Sequence, residues 1–526
     1  MRTTVKVLTW IRWLRFGPLK GMGPLWALGT YVFRPSFAFY KSLLFRWKRL
    51  RYVPSSSAPT QIHLSWVEDP ASSLTVTWHT SSMNNPGLVE YRKAGTVSWQ
   101  GAHGTTVASP GIGGGLHRAT IRDLRPDTRY EYRVSSDATA TPPMSTGAIT
   151  RTAPAKGPAD FSFAFICDVG IIGRRDSLTN IAMQMIDEVL KDEPLFVVGG
   201  GDYAYAAKDN RFATTAQAID AWFDQMEPLF SRVPFMAQYG NHEIYHDESF
   251  RDWGPRFAHP PGFDGGKNYS FEVGDVHFTG LLVPGSRHCP GPSAQQLAWL
   301  DADLGDARRR GIRWLVVFQH DAIFAHGDQH PARPEVRAAL APIFEKHYVD
   351  LHFSGHDQNF ERTYPLRGLP HHPMVVNSSQ NSYGAGAGVI YAKVSPSGKV
   401  AGPEFEQGSD SIFEKFYSNF TVEQQDFMAV RDNTCNHYAY ITVGAAGRIH
   451  VTVYGLKGEG TPKTRVDSFE IVAPESQCAD THSAVKAAGY WQQRDRASHP
   501  ADFARHERRG MRTWPWAAIR TLCSVV

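Results

Sequence analysis

The feature that most restricts what this chain can fold into is an ordered series of five short polar motifs. They are Asp168-Val169-Gly170, Gly201-Asp202-Tyr203-Ala204-Tyr205, Gly240-Asn241-His242-Glu243, Val316-Val317-Phe318-Gln319-His320 and Gly355-His356-Asp357-Gln358, the last inside Phe353–Arg362. Each follows a short apolar run or a helical stretch, and each ends in side chains that bind hard or borderline metal ions. Singly they are weak: an Asp-x-Gly is usually a turn, and a histidine at a strand end is usually a satisfied polar residue. In this order, at successive strand-to-loop junctions, they predict one dinuclear metal site assembled from the middle of the chain. Carboxylate, phenolate, amide and imidazole donors together suit two ions of differing hardness.

The surrounding pattern supplies a frame for such a site. Phe161 to Cys167 is a continuous apolar run, so a buried strand, and Leu178, Ile181, Ala182, Met185, Ile186, Val189 and Leu190 then mark one helical face. Strands are expected at 195–198, 314–318, 351–354 and 390–394. Helices are expected at 218–230, 293–304 and 336–347, the last broken or bent at Pro342. Strand–helix alternation implies an α/β sheet whose ligands lie beyond the carboxyl ends of its strands. Asp168, Asp202, His320 and His356 fall there. Further strands at 439–443, 448–454 and 466–472 would complete the sheets. Before this region, residues 60–152 alternate as β-strands separated by Gly, Pro, Asn and Ser clusters. Leu124 to Tyr132 resembles the turn and strand of a fibronectin type III sandwich, where a tyrosine bonds back to the backbone at the corner.

The two ends differ from the middle. No Asp or Glu precedes Glu68, and basic residues alternate there with Trp10, Trp13, Phe16, Trp26 and other aromatics. The uncharged run Gly21–Phe33 is too short to span a bilayer, but a basic, Trp-rich segment is compatible with contact at an anionic membrane surface. The expected organisation is therefore a leader (1–55), an all-β domain (56–153), a catalytic α/β domain (154–473) and a basic tail (474–526). A net charge of +4 on 526 residues argues against nucleic acid as a partner. The five scattered cysteines contain no C-x-x-C pair, which leaves disulfide pairing and redox compartment open. Export or membrane association is favoured over a cytoplasmic site.

Two ions about 3.5–4 Å apart can bind the attacking and leaving oxygens of an in-line displacement and lower the pKa of bound water. With the motifs on the page, the chain is identified as resembling the purple acid phosphatases, within the calcineurin-like metallophosphoesterases. Their pattern runs Asp-x-Gly, Gly-Asp-x-x-Tyr, Gly-Asn-His-Asp/Glu, Val-x-x-His and Gly-His-x-His. The likeness extends over about residues 60–472 and includes Asn268–Phe278. It implies a metallophosphoesterase sandwich of mixed β-sheets flanked by helices, after an all-β fibronectin type III-like domain. It implies Asp168 and Tyr205 as ligands of a ferric ion, Asp202 as the bridge, and Asn241, His320 and His356 as ligands of zinc, manganese or iron. It makes His242 a phosphate contact, with His330, ten residues past His320, or His326 as a second.

One position departs from the pattern. Gln358 stands where the last histidine should be, and a neutral amide is a weaker donor than imidazole. Gln358 ligates through oxygen, or stands off with water in its place, or the first site is empty. The resemblance implies a hydrolase of phosphate monoesters in which a metal-bound hydroxide attacks phosphorus, with a small phosphate ester as substrate. The alternatives are a phosphodiesterase or lipid-headgroup phosphoesterase at a membrane, and a catalytically silent binding protein that keeps the fold. The oligomeric state cannot be read.

Overall fold

The computed structural model describes residues 58–474, except 85–86, 112, 136–143, 173–180, 210, 245–248, 284–290, 326–329, 331, 369–372, 380, 400–426 and 459. The leader and the tail lie outside the described residues. Among the described residues no helix is long and apolar enough to cross a membrane, and Cys167 and Cys435 are free thiols.

Residues 60–151 form two four-stranded antiparallel sheets. One orders Thr60–Ser65, Leu74–Thr80, Gly115–Ile121 and Thr105–Ala108; the other Gln100–His103, Leu88–Lys93, Arg129–Val134 and Ala148–Arg151. Trp66 and Trp78 are fully buried in this part of the core. The Tyr130 hydroxyl accepts from Arg125 N at 2.9 Å, closing the corner expected of a fibronectin-like sandwich. Side chains also tie this unit to the rest of the chain. His63 Nε2 lies 2.7 Å from the Arg256 carbonyl, the Tyr132 hydroxyl donates to the Ser231 carbonyl at 2.6 Å, and Arg118 Nη2 donates to the Pro255 and Phe257 carbonyls.

The remainder is built on two mixed sheets. The first has seven strands, ordered Phe235–Ala237, Phe196–Gly199, Phe161–Ile166, Asn436–Gly444, Arg448–Leu456, Thr464–Val472 and Ser382–Gly384. The second has eight, with Val276–Leu281, Trp314–Gln319, Leu351–Ser354 and Ile390–Val394 parallel at its centre. Strand periodicity decides which face each residue serves. Phe163 and Phe165 of the first sheet, and Val316 and Phe318 of the second, point into the core between the sheets. Ala164 and Ile166 face the helices Ile181–Asp192 and Thr215–Phe230. Leu315 and Val317 face Ala294–Arg309 and Pro334–Lys346. Between the sheets Phe163 meets Phe278 edge-on at 5.1 Å and Phe165 stacks on Phe353 at 4.9 Å. Such pairs add about 0.5–1.5 kcal/mol each beyond their burial.

The sandwich of mixed sheets is the expected class. Of the two expectations for Pro342, the break is excluded: the helix is continuous from Pro334 to Lys346. A proline inside a helix costs about 3 kcal/mol, and burial of Val336, Leu340 and Phe344 on either side of it offsets that.

Candidate metal centre

The parallel strands of both sheets end at one edge, and the loops leaving them interlock there. Asp168 N donates to Gly201 O, Val169 N to Asp202 O and Gly170 N to Tyr203 O, so two loops continue the pairing of their strands. Gly355 N donates to His320 O and joins the two loops of the second sheet. The turns are tight. Asp168, Asp202, Tyr205 and His356 all have positive φ, between 49° and 73°. Each such residue costs of order 1–3 kcal/mol, and such strain collects at functional sites. Three glycines permit the close approach. A Cβ on Gly355 would lie 2.0 Å from Cys167 Sγ, one on Gly240 2.3 Å from Asp202 Oδ1, and one on Gly201 2.9 Å from His320 Nδ1.

Six of the expected ligands are brought together and buried: Asp168, Asp202, Tyr205, Asn241, His320 and His356 are each no more than 8% exposed. His320 Nδ1 lies 2.8 Å from the Gly200 carbonyl, which can only accept, so that nitrogen carries the proton. Nε2 then presents a lone pair. It lies 3.0 Å from Asn241 Oδ1, 3.1 Å from His356 Nδ1 and 3.3 Å from Asp202 Oδ2. That lone pair takes a proton at neutral pH, and the same four donor atoms can share a metal cation in its place. The carboxylate, amide and two imidazoles fit a divalent ion of the zinc, manganese or iron class. Burial would lower the His320 pKa, but the Asp202 carboxylate reverses this and lifts it to about 10.

The second half of the centre is richer in oxygen. Asp168 Oδ1 accepts from the Tyr205 hydroxyl at 2.5 Å. Asp168 Oδ2 accepts from Ser395 Oγ at 2.8 Å, Cys167 Sγ at 2.9 Å and His356 N at 3.1 Å. Burial, Asp168 and Asp202 push the Tyr205 phenol well above its usual value, so only a strongly charged cation would displace its proton. Asp202 Oδ1 accepts from His242 N at 2.8 Å, and Oδ2 faces the histidines. Glu243 secures this loop: its carboxylate accepts from the backbone nitrogens of Asp202, Tyr203 and Gly240 at 2.7–2.9 Å.

The histidines expected to touch substrate are distributed around this core. The His242 ring lies 4.3 Å from the Tyr205 ring, with Nε2 3.9 Å from Asp202 Oδ2. His330 stacks on His356 at 4.2 Å, and its backbone nitrogen donates to Asp357 Oδ1. Burial lowers the His330 pKa, and Asp357 and Asp202 oppose this. His326 lies outside the described residues. Gln358 is half-buried on the bend after Asp357, and its side chain makes no hydrogen bond among the described residues. Lys399, whose ammonium sits 3.9 Å over the Tyr205 ring, and Ser395 on Asp168 were not foreseen from the sequence. Both come from the stretch after Ile390–Val394, which carries no motif.

Known proteins resemble both the all-β part and the part that carries these residues. Residues 59–148 match the family described as Purple acid Phosphatase, N-terminal domain, and residues 161–360 match Calcineurin-like phosphoesterase. Purple acid phosphatase 23 of Arabidopsis thaliana is 28% identical over 347 residues, covering 58% of this chain and 72% of that protein. The uncharacterized protein Rv2577 of Mycobacterium tuberculosis is 26% identical over 476 residues, covering 78% and 87%. The solved purple acid phosphatase PPD1 of yellow lupin seeds superposes with a TM-score of 0.65 at 18% identity over 81% of this chain and 76% of that one, a likeness of fold.

Proposed function

From the premise that the chain belongs to the purple acid phosphatases, and so is a metal-dependent hydrolase of phosphate esters acting through a dinuclear centre, we propose that its substrates are phosphate monoesters and that its ions are iron and a divalent metal. Asp168 and Tyr205 would hold the first ion, Asn241, His320 and His356 the second, with Asp202 between them. Gln358 stands off the first ion. The observation that carries this reading is the convergence of Asn241 Oδ1, His356 Nδ1 and Asp202 Oδ2 on the His320 Nε2 lone pair.

When bound, the two ions polarise the phosphoryl group and lower the pKa of water beside it. The chain supplies the rest. Gly200 O fixes the His320 tautomer, and Ser395, Cys167 and the His356 backbone hold Asp168 in one rotamer. His242, beside Tyr205 and Asp202, would donate to a phosphoryl oxygen and give a proton to the leaving alcohol. His330 and the Lys399 ammonium would receive the terminal oxygens of a dianion, a charge that a diester lacks. That difference selects monoesters.

The test compares turnover of an aryl phosphate monoester with its diester by the full chain, alongside metal analysis. Faster monoester turnover with iron present is expected; preference for the diester would overturn the substrate class. Gln358→His supplies the imidazole of the family pattern and should deepen a visible tyrosinate-to-iron absorption. No visible band in either protein would overturn the assignment of iron at Tyr205.

A further inference from the structure

A second cluster of ligating side chains lies outside the centre, where the chain passes from one sheet to the other. Asp432 ends the strand Met428–Asp432 of the second sheet, Cys435 follows in the turn, and His437 lies at the start of the strand Asn436–Gly444 of the first. Their ligand atoms face one another. His437 Nε2 lies 2.8 Å from Asp432 Oδ2 and 3.5 Å from Cys435 Sγ, and Cys435 Sγ lies 3.0 Å from Asp432 Oδ2.

Hydrogen bonds behind these atoms fix their direction. His437 Nδ1 lies 3.0 Å from the Ser395 carbonyl, which can only accept, so Nδ1 carries the proton. Nε2 faces a carboxylate 2.8 Å away, a contact that needs a cation between the two atoms, either a proton on Nε2 or a metal ion. Asp432 Oδ1 is occupied by Thr434 N at 3.1 Å and Thr434 Oγ1 at 2.7 Å, which turns Oδ2 toward the histidine. Such outer bonds, setting a tautomer and aiming a carboxylate, are those that metal ligands require. Room for the sulfur comes from Gly455 on the neighbouring strand, where a Cβ would lie 2.6 Å from Cys435 Sγ.

We propose that Asp432, Cys435 and His437 bind a third metal ion, of the zinc class, separate from the dinuclear centre. Thiolate, imidazole and carboxylate in one set match that class. With bond lengths of about 2.0–2.3 Å, a tetrahedral ion separates its ligands by roughly 3.3–3.6 Å. The three atoms therefore move apart by at most about 0.8 Å on binding. Binding deprotonates the Cys435 thiol and releases its proton to solvent. His437 is fully buried, whereas the Asp432 side chain is 15% exposed, so water completes the coordination from the Asp432 side. The ion fastens the crossing between the sheets. It also reaches the dinuclear centre through one residue, because Ser395 accepts from His437 with its carbonyl and donates to Asp168 with its hydroxyl.

The test uses the full chain and three variants, Cys435→Ser, Asp432→Asn and Cys167→Ser, with folding checked by circular dichroism. Metal content is counted after purification, and the metal-stripped proteins are titrated with cobalt(II). The expected result is one ion fewer per chain in Cys435→Ser, with phosphate-ester turnover retained. A thiolate-to-cobalt charge-transfer band should appear in the parent and in Cys167→Ser and vanish in Cys435→Ser. Should Cys435→Ser fail to fold, Asp432→Asn, which keeps a side chain of the same size, should show the same loss of one ion. Equal metal content and equal cobalt spectra in the parent and whichever of these variants folds would overturn the proposal, leaving a shared proton as the cation of this cluster.

Discussion

Replacing Lys393 by methionine tests whether the loop behind the metal centre is held by charge. The Lys393 ammonium lies 2.7 Å from Asp357 Oδ2 and 2.8 Å from Glu361 Oε2, with all three side chains no more than 1% exposed. Asp357 follows the ligand His356 and accepts from His330 N at 3.1 Å, so the ammonium sits directly behind both histidines. Burial alone would depress the Lys393 pKa, but the two carboxylates reverse this and raise it, so the lysine is charged at any pH the protein meets. Removing one partner of a buried ion pair costs about 3–5 kcal/mol. Glu361 keeps a contact with Arg431 at 3.3 Å, which favours the lower end, about 3 kcal/mol. At ~2 °C per kcal/mol that is a fall in melting temperature of roughly 6 °C. The pH dependence carries the sharper signature. In the variant the stranded carboxylates have folded pKa values above their unfolded ones. That stabilisation is present at low pH and lost as pH rises through the raised values. The deficit against the parent should be small near pH 4.5 and full at pH 8, measured by urea unfolding of both proteins. A deficit below about 1 kcal/mol at pH 8, the worth of a surface pair, would refute the reasoning. So would a deficit independent of pH.

Other parts of the structure give equally definite expectations. Gly355→Ala places a methyl 2.0 Å from Cys167 Sγ and 2.7 Å from Asp168 Oδ2; iron content and turnover should fall together, and full occupancy of the first ion by metal analysis would count against the role of Asp168. His352 is buried with neither ring nitrogen partnered among the described residues, and burial pulls its pKa down to about 3. A depressed histidine loses stability as pH falls from about 6.5 toward the folded value, so His352→Leu should gain about 2 kcal/mol more at pH 5 than at pH 8; equal shifts in melting temperature at the two pH values would contradict this. Glu243→Gln keeps an oxygen on Asp202 N and Gly240 N but turns its NH2 toward the third donor, Tyr203 N, at a cost of about 1–3 kcal/mol and with weaker metal retention. Unchanged stability would show that the Asp202 loop is held by something else.

What could be read in advance follows from where the information lies. Asp168, Asp202, Asn241, His320 and His356 each close a strand or open a loop, so local apolar runs and the residues after them announce both the strand and the ligand. Tyr130 was legible for the same reason, since its corner is made within five residues. Ser395 on Asp168 joins positions 227 apart, and Lys399 reaches Tyr205 from a segment whose composition has no pattern. Glu243 was visible as a neighbour of Asn241, but its three backbone bonds cross between loops. At Pro342 the sequence left a break and a bend open, and burial on either side of it keeps the helix continuous. The cluster at Asp432, Cys435 and His437 has the spacing of an ordinary turn until the Ser395 carbonyl shows which histidine nitrogen is protonated.

In the proposed function, side chains from five loops hold two ions and hydrolyse phosphate esters. It is tested most directly by metal analysis and aryl-phosphate turnover of Asp202→Ala beside the parent chain. Two ions fewer per chain and no measurable turnover are expected in a variant that still folds. A folded Asp202→Ala protein that keeps its ions, or still turns over substrate, would contradict that function.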